Sequence, residues 1–269
     1  MLKRLVKRVL NRDRHRNLEQ YVAYQDRIAR EHLLPQLRGC GVRVDRPVLD
    51  VGCRLGGGTI AVARQLGVPT WGWDIVPEFI ETAQKAAAKA DVDVRFEVFD
   101  VINDPLPEER FGLVIMRDVV EHLVDLEAPM RRLRELVEPD GALYVVFPPW
   151  YGPYAGHQHN APGKSRYMPY AHLIAPQAFL KQMIAEVPNP EGNEWVEDQK
   201  NVFQIRMTRR KFERIARRTG WKIHRQWGYL LRPAFMRMGL PTISNGPLGK
   251  MPVVGEFVST ACEYVLVPA

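Results

Sequence analysis

The sequence predicts an α/β fold in which seven strands build one doubly wound, mostly parallel sheet. Three observations predict it. Short apolar runs alternate with helix-length amphipathic stretches between residues 47 and 148, the pattern of βαβ units. One run, FGLVIMRD at 111–118, is apolar almost throughout, as a strand covered on both faces must be. A glycine-rich turn, GCRLGGGT, joins the first run to the helix after it.

Taken in order, residues 1–16 (MLKRLVKRVLNRDRHR) carry seven Lys/Arg and one Asp. Leu2, Leu5, Val6, Val9 and Leu10 repeat with helical spacing, which makes a short cationic amphipathic helix. Residues 18–38 form a second helix, ended near Gly39 and Gly41. PVLDVGC (47–53), PTWGWDI (69–75), VRFEVFD (94–100) and FGLVIMRD (111–118) are strands. Between the second and third, PEFIETAQKAAAKA (77–90) is a helix with proline in its first turn. DLEAPMRRLRELVEPDG (125–141) is a helix stopped by Pro-Asp-Gly, followed by the strand ALYVVFP (142–148). WKIHRQWGYLL (221–231) and TACEYVLVP (260–268) complete the sheet. Four regions result: helical cap, 1–42; core, 43–149; a Pro- and aromatic-rich insertion, 150–205, expected to act as a lid; and a C-terminal completion of the sheet, 206–269. The insertion holds too many Trp and Tyr residues for a disordered linker.

Composition narrows the class. Hydrophobic residues make up 46% and charged residues 26% of 269, enough for a full core. No apolar run is long enough to span a membrane, and Lys and Arg interrupt the first apolar residues, unlike a secretory signal. Cys40, Cys53 and Cys262 form no CxxC pair, which fits a reducing cytoplasm rather than a disulfide scaffold. The net charge of +7 is concentrated at 1–16 and in 206–232, where ten Lys/Arg face one Glu. Such stretches suit contact with something anionic; residues 1–16 suit either a surface helix docked on its own protein or a peripheral membrane contact, and the second stretch suits a solvated helix face.

Within the glycine turn, Gly52 fits the first position of a dinucleotide fingerprint, but Arg54 stands where the second glycine would be, which argues against a dehydrogenase. Acids end three successive strands: Asp50, Asp74 and Asp100. An acid at the second position can take both ribose hydroxyls. VLDVGCRLGGGT, WGWDIVPEFIETA, VRFEVFDVINDPLP, FGLVIMRDVVEHL and ELVEPDGALYVVFPP resemble the successive motifs of class I S-adenosylmethionine-dependent methyltransferases, of the broad type 11 group. The resemblance runs over about 47–149, is weaker over 208–268 and absent from 150–200. It implies a Rossmann-like fold. It also implies a cofactor site in which Asp50, Gly52, Cys53 and Gly56 line the methionine part, Asp74 with Ile75 the ribose, Asp100 with Val101 the adenine, and Arg117 lies nearby. The family's glycine is replaced by Arg54, whose guanidinium then lies near the methionine carboxylate.

RDVVEHL (117–123) follows the fourth strand, at the edge where open α/β sheets bind ligands. On a helix Asp118, Glu121 and His122 share one face. One reading is a capping box, Asp118 at the N-cap and Glu121 at N3. The other is a metal site. Metal-assisted O-methyltransferases are similar here, with E-x-x-E-H completed by a downstream histidine; this chain has D-x-x-E-H. GHQHN supplies His157 and His159, whose rings point the same way on an extended segment, and His172 follows. Asp118, Glu121, His122, His157 and His159 are thus candidate ligands for Mg, Mn, Fe or Zn. Without a metal, Glu121, His122, His157 or His159 is the candidate catalytic acid–base group.

The expected function is S-adenosylmethionine-dependent O-methylation of a small or lipid-linked molecule, with or without a divalent metal. RNA 2′-O-methylation and a non-catalytic cofactor-binding protein are the alternatives; RNA is disfavoured because no RNA-binding module is recognisable.

Overall fold

The apolar run after Pro47 becomes strand β1 (Val48–Val51), buried along its whole length. A computed structural model of the chain describes residues 18–251 and 253–269; the cationic stretch 1–16 lies outside them. β1 pairs in parallel with β2 (Thr70–Asp74) on one side and β4 (Phe111–Arg117) on the other. Beyond these lie β3 (Arg95–Val98), parallel to β2, and β5 (Val137–Phe147), parallel to β4. The last strand, β8 (Ala261–Pro268), runs antiparallel to β5, and β6 (Trp221–Leu231) runs antiparallel to β8. The two-residue strand β7 (Ile243–Ser244) closes the edge, giving the order β3-β2-β1-β4-β5-β8-β6-β7. The sheet therefore has eight strands, not seven. β7 is too short and exposed to leave an alternating apolar signature.

Both faces are covered. Alternate residues of β4 point to opposite sides. Val114 and Met116 join one core with Met130, Leu133 and Phe212, from helices α5 (Glu127–Leu136) and α9 (Arg209–Arg218). Leu113 and Ile115 join the other core with Leu33, Leu37, Ala61 and Val62. Those come from the N-terminal helices and from α3 (Gly57–Leu66). Each such side chain contributes roughly 1.5–3 kcal/mol by leaving water, which explains the unbroken apolar run. A smaller core packs α4 (Pro77–Ala90) on the sheet through Ile80, Ala83 and Phe96.

Two boundaries differ from expectation. The N-terminal helix is α1 (Leu18–Ile28), a π turn (Ala29–Leu33) and α2 (Leu34–Gly39). The wide turn precedes Pro35, whose missing N–H interrupts the helical ladder. α5 ends at Leu136 and Val137 already pairs with Phe111. Pro-Asp-Gly does not stop the helix. It forms an excursion within β5, after which pairing resumes between Leu113 and Ala142, because Pro139 has no ladder donor.

Residues 150–205 are ordered as short turns and helices, among them α6 (Ala171–Ile174), α7 (Pro176–Ala185) and α8 (Glu194–Ile205). They have a core of their own, including Trp150, Phe179, Met183 and Phe203. The segment starts where β5 ends, so it stands at the C-terminal edge of the parallel strands.

Candidate active site

β1 leads into Gly52 and Cys53, and Gly56 is the N-cap of α3; Gly52 and Gly56 both have φ of +72°. A Cβ on Gly52 would lie 2.4 Å from Val119 Cγ2, and one on Gly56 2.6 Å from Phe96. Arg54 also takes a left-handed conformation, φ +49°. Its side chain leaves the turn and its guanidinium carbon sits 5.4 Å from the Phe79 ring centroid, while its N–H donates to Asp74 Oδ2 at 2.9 Å. The arginine thus keeps the backbone path a glycine would take.

The three strand-end acids differ in their partners. Asp50 is buried, accepts from Thr59 Oγ1 at 2.7 Å and lies 3.8 Å from Arg117 Nη2; burial raises its pKa despite Arg117. Asp74 accepts from the N–H groups of Arg54 and Val76. Asp100 accepts from Ile102 N and Asn103 Nδ2 within its own turn, which holds its carboxyl below the usual range. Ile75, beside Asp74, is 66% exposed, whereas Val101 is buried and its carbonyl accepts from Arg132. Cys53 is buried, and burial pushes its thiol far up. Arg117 lies over Gly58, where a Cβ would meet its Nη2, and donates to Gln25 at 3.2 Å. Tyr21 packs in the same way on Gly57. α1 therefore roofs the glycine turn; neither Tyr21 nor Gln25 carries a sequence signal for that role.

RDVVEHL forms no helix. Residues 118–126 are a string of turns, because Asp118 takes φ +55° and its N–H donates to Val146 O at 2.8 Å. The shared helical face and the capping box are both overturned. Asp118 turns to Arg232, whose Nη2 donates to both its carboxylate oxygens at 2.7 and 2.8 Å. Burial would raise its carboxyl, but Arg232 outweighs this and lowers it.

Glu121 stays in the site. It is 3% exposed, and among the described residues neither of its oxygens accepts a hydrogen bond. Its Oε1 lies 3.7 Å from His157 Nε2 and 3.9 Å from His122 Nε2. Burial, with Asp118 adding to it, pushes the Glu121 carboxyl up to about 8. His122 Nδ1 donates to Asp198 Oδ1 at 2.5 Å. Burial alone would lower the His122 imidazole; the Asp198 bond and Glu121 outweigh it and raise it. Asp198 comes from α8, in a stretch of ordinary helix polarity, and nothing in the sequence marks it.

The two insertion histidines do not lie on an extended segment. His157 has φ +53° and precedes a 3₁₀ turn, Gln158–Asn160. Its ring is 4.9 Å from that of His122 and 5.9 Å, edge-on, from that of His159. Glu121, His122 and His157 offer ligand atoms within 4.8 Å of one another, a set that can hold a metal ion. Asp118 and His159 fall outside that set, because one faces Arg232 and the other packs edge-on to Tyr154. His172 is fully buried: its Nε2 donates to Trp150 O at 2.9 Å and its Nδ1 accepts from Gln158 at 3.1 Å. Burial lowers it to about 4; it is a neutral tie inside the insertion.

Residues 48–141 match the family model described as a methyltransferase domain. The chain is 33% identical over 99 residues to phosphoethanolamine N-methyltransferase 3 of Arabidopsis thaliana, covering 37% of this chain and 20% of that protein. It is 35% identical over 103 residues to ajmaline N-methyltransferase of Rauvolfia serpentina, covering 38% and 35% respectively. The matched region thus spans between a fifth and about a third of these relatives' length. Magnesium protoporphyrin IX methyltransferase from Synechocystis PCC 6803, solved with bound SAH, shares the fold. Its TM-score is 0.53 at 15% identity, over 99% of this chain and 94% of that one.

Proposed function

We propose that this protein is a class I S-adenosylmethionine-dependent methyltransferase, a reading supported by the match of residues 48–141 to the methyltransferase-domain model, and that it methylates a small or lipid-linked acceptor through a hydroxyl or amine that loses its proton at Glu121 and His157. The observation that carries the reading is Glu121 itself: a carboxyl buried at the end of β4, with no hydrogen-bond donor among the described residues and two imidazoles within 4 Å. A carboxyl held near neutrality is suited to accept a proton at working pH.

The residues present fit the cofactor. The two positive-φ glycines keep side chains out of the turn at the N-terminus of α3, and exposed Ile75 offers an apolar face beside Asp74. Asp50, Gly52, Cys53, Gly56, Asp74, Ile75, Asp100, Val101 and Arg117 would hold it. When bound, S-adenosylmethionine supplies an electrophilic sulfonium methyl with a neutral leaving group. The chain's part is then alignment, exclusion of water and removal of one proton. Asp198 fixes the His122 ring through Nδ1, leaving Nε2 toward Glu121. Residues 150–205 contribute His157 and Asp198 and would close the site as a lid. The N-methyltransferase names of the curated relatives favour an amine as much as a hydroxyl.

One observation favours a metal-assisted variant. Glu121, His122 and His157 form a compact two-imidazole, one-carboxylate set, and a ligating histidine commonly donates its other N–H to a carboxylate, as His122 does to Asp198.

The test is transfer of label from methyl-labelled S-adenosylmethionine to panels of amines, phenols and lipids, by wild type and Glu121→Gln, with and without chelator. The expected result is transfer by wild type and a loss of roughly 100-fold or more in Glu121→Gln. Equal transfer by both would overturn the role of Glu121; activity unchanged in chelator would overturn the metal variant.

A further inference from the structure

The chain between the end of β6 and the start of β8 returns along the sheet edge that carries the candidate site. Arg232, at its beginning, holds Asp118. Further along, Leu248, Met251, Val253, Val254 and Phe257 leave their side chains in solvent, Val253 being 57% exposed. Tyr151, also exposed, stacks on Phe257 with ring centroids 5.4 Å apart.

This is a built surface. Met251 N donates to Leu248 O at 3.1 Å and Gly255 N to Met251 O at 2.9 Å. Arg209 Nη1 donates to Gly249 O at 2.6 Å, and the Tyr170 hydroxyl donates to Phe257 O at 2.9 Å. The backbone is tied down from both sides while the apolar side chains face out.

Between Glu213 and Glu256 the sequence holds eight Lys/Arg and no Asp or Glu; of these, Arg217, Arg218 and Arg232 are paired to Glu213, Glu127 and Asp118, and Glu256, within the loop, is buried. Arg209 and Arg210 open α9 beside the loop, and Arg210 is exposed. Contiguous exposed apolar groups mark an interaction surface. Aliphatic side chains flanked by Tyr, Phe and Arg, in a stretch of chain without Asp or Glu from 214 to 255, match the boundary between headgroups and acyl chains of an anionic bilayer. We propose that the 248–257 loop with Tyr151 is a membrane-docking surface, in which the apolar side chains enter the interface and the exposed Arg210, beside the loop-bound Arg209, faces anionic headgroups. The surface stands independently of the reaction proposed above and of any contact made by residues 1–16. Among the described residues no helix is long and apolar enough to cross a membrane, so the contact is peripheral.

The test is co-sedimentation of the full chain with phosphatidylcholine vesicles containing phosphatidylglycerol, against phosphatidylcholine alone. Wild type is expected to sediment with the anionic vesicles and to release as salt rises. Val253→Asp/Val254→Asp, with an unchanged melting temperature, is expected to lower vesicle affinity about tenfold or more. Val253→Trp is expected to raise it, which guards against a variant that merely misfolds. Three results would overturn the proposal: no sedimentation of wild type, equal binding by the aspartate variant, or a concentration-dependent dimer that the aspartate variant dissociates without any vesicle binding.

Discussion

His122 Nδ1 lies 2.5 Å from Asp198 Oδ1, across 76 residues of sequence. The bond joins the end of β4 to helix α8 of the 150–205 segment and sets which ring nitrogen of His122 faces Glu121. Removing it leaves burial unopposed by its strongest counterweight. Asp198→Asn is therefore expected to lower the His122 pKa, read by NMR titration of the imidazole, and to cost about 10–100-fold in turnover. A His122 titration identical to wild type would show that the bond does not set its charge.

Glu121 links the site to stability. Its folded pKa, about 8, stands above the ordinary 4.5, so the folded state holds the proton more tightly. The stability this contributes is complete below about pH 4.5 and is lost as pH rises through about 8. Glu121→Gln removes the titration. Relative to wild type, the variant is expected to gain a few kcal/mol between pH 5 and pH 9, measured by denaturant unfolding in chelator. Parallel pH profiles for the two proteins would contradict the assignment.

Gly52 carries both a left-handed backbone and a tight approach to Val119. Gly52→Ala is expected to cost about 1–2 kcal/mol from the backbone alone, more as Val119 is displaced. The melting temperature and cofactor affinity should fall together; an unchanged affinity would separate the turn from binding.

His172 tests the insertion rather than the reaction. His172→Phe leaves Trp150 O without this partner, at about 1–3 kcal/mol, while the Gln158 amide keeps Met168 O. Because its folded pKa is depressed to about 4, wild type holds this stability in full above about pH 6.5 and loses it as pH falls through about 4. Denaturant unfolding at pH 8 and pH 5 checks both the cost and its direction.

How far the sequence reaches is clear from particular residues. The alternation of apolar runs and helices is local, so β1 to β6, β8 and their helices are legible. The turn at Gly52 and Gly56 is legible because a strand end followed by clustered glycines marks a left-handed backbone path, which both residues take. RDVVEHL misled because helical spacing is only one way to bring three side chains together. A single left-handed residue, Asp118, broke that spacing, while the turns still placed Glu121 beside His122. The extended segment expected for His157 and His159 does not form, since His157 takes a left-handed backbone before a 3₁₀ turn. Asp198, Arg232 and Tyr21 enter by long-range packing, which no local pattern encodes.

The proposed cofactor pocket lies between the glycine turn and the acids at the strand ends. Isothermal titration of S-adenosylmethionine into wild type and Asp74→Ala tests it most directly. Saturable binding to wild type and its loss in the variant are expected. Heat that never rises above dilution in wild type, or affinity untouched by the alanine, would contradict it.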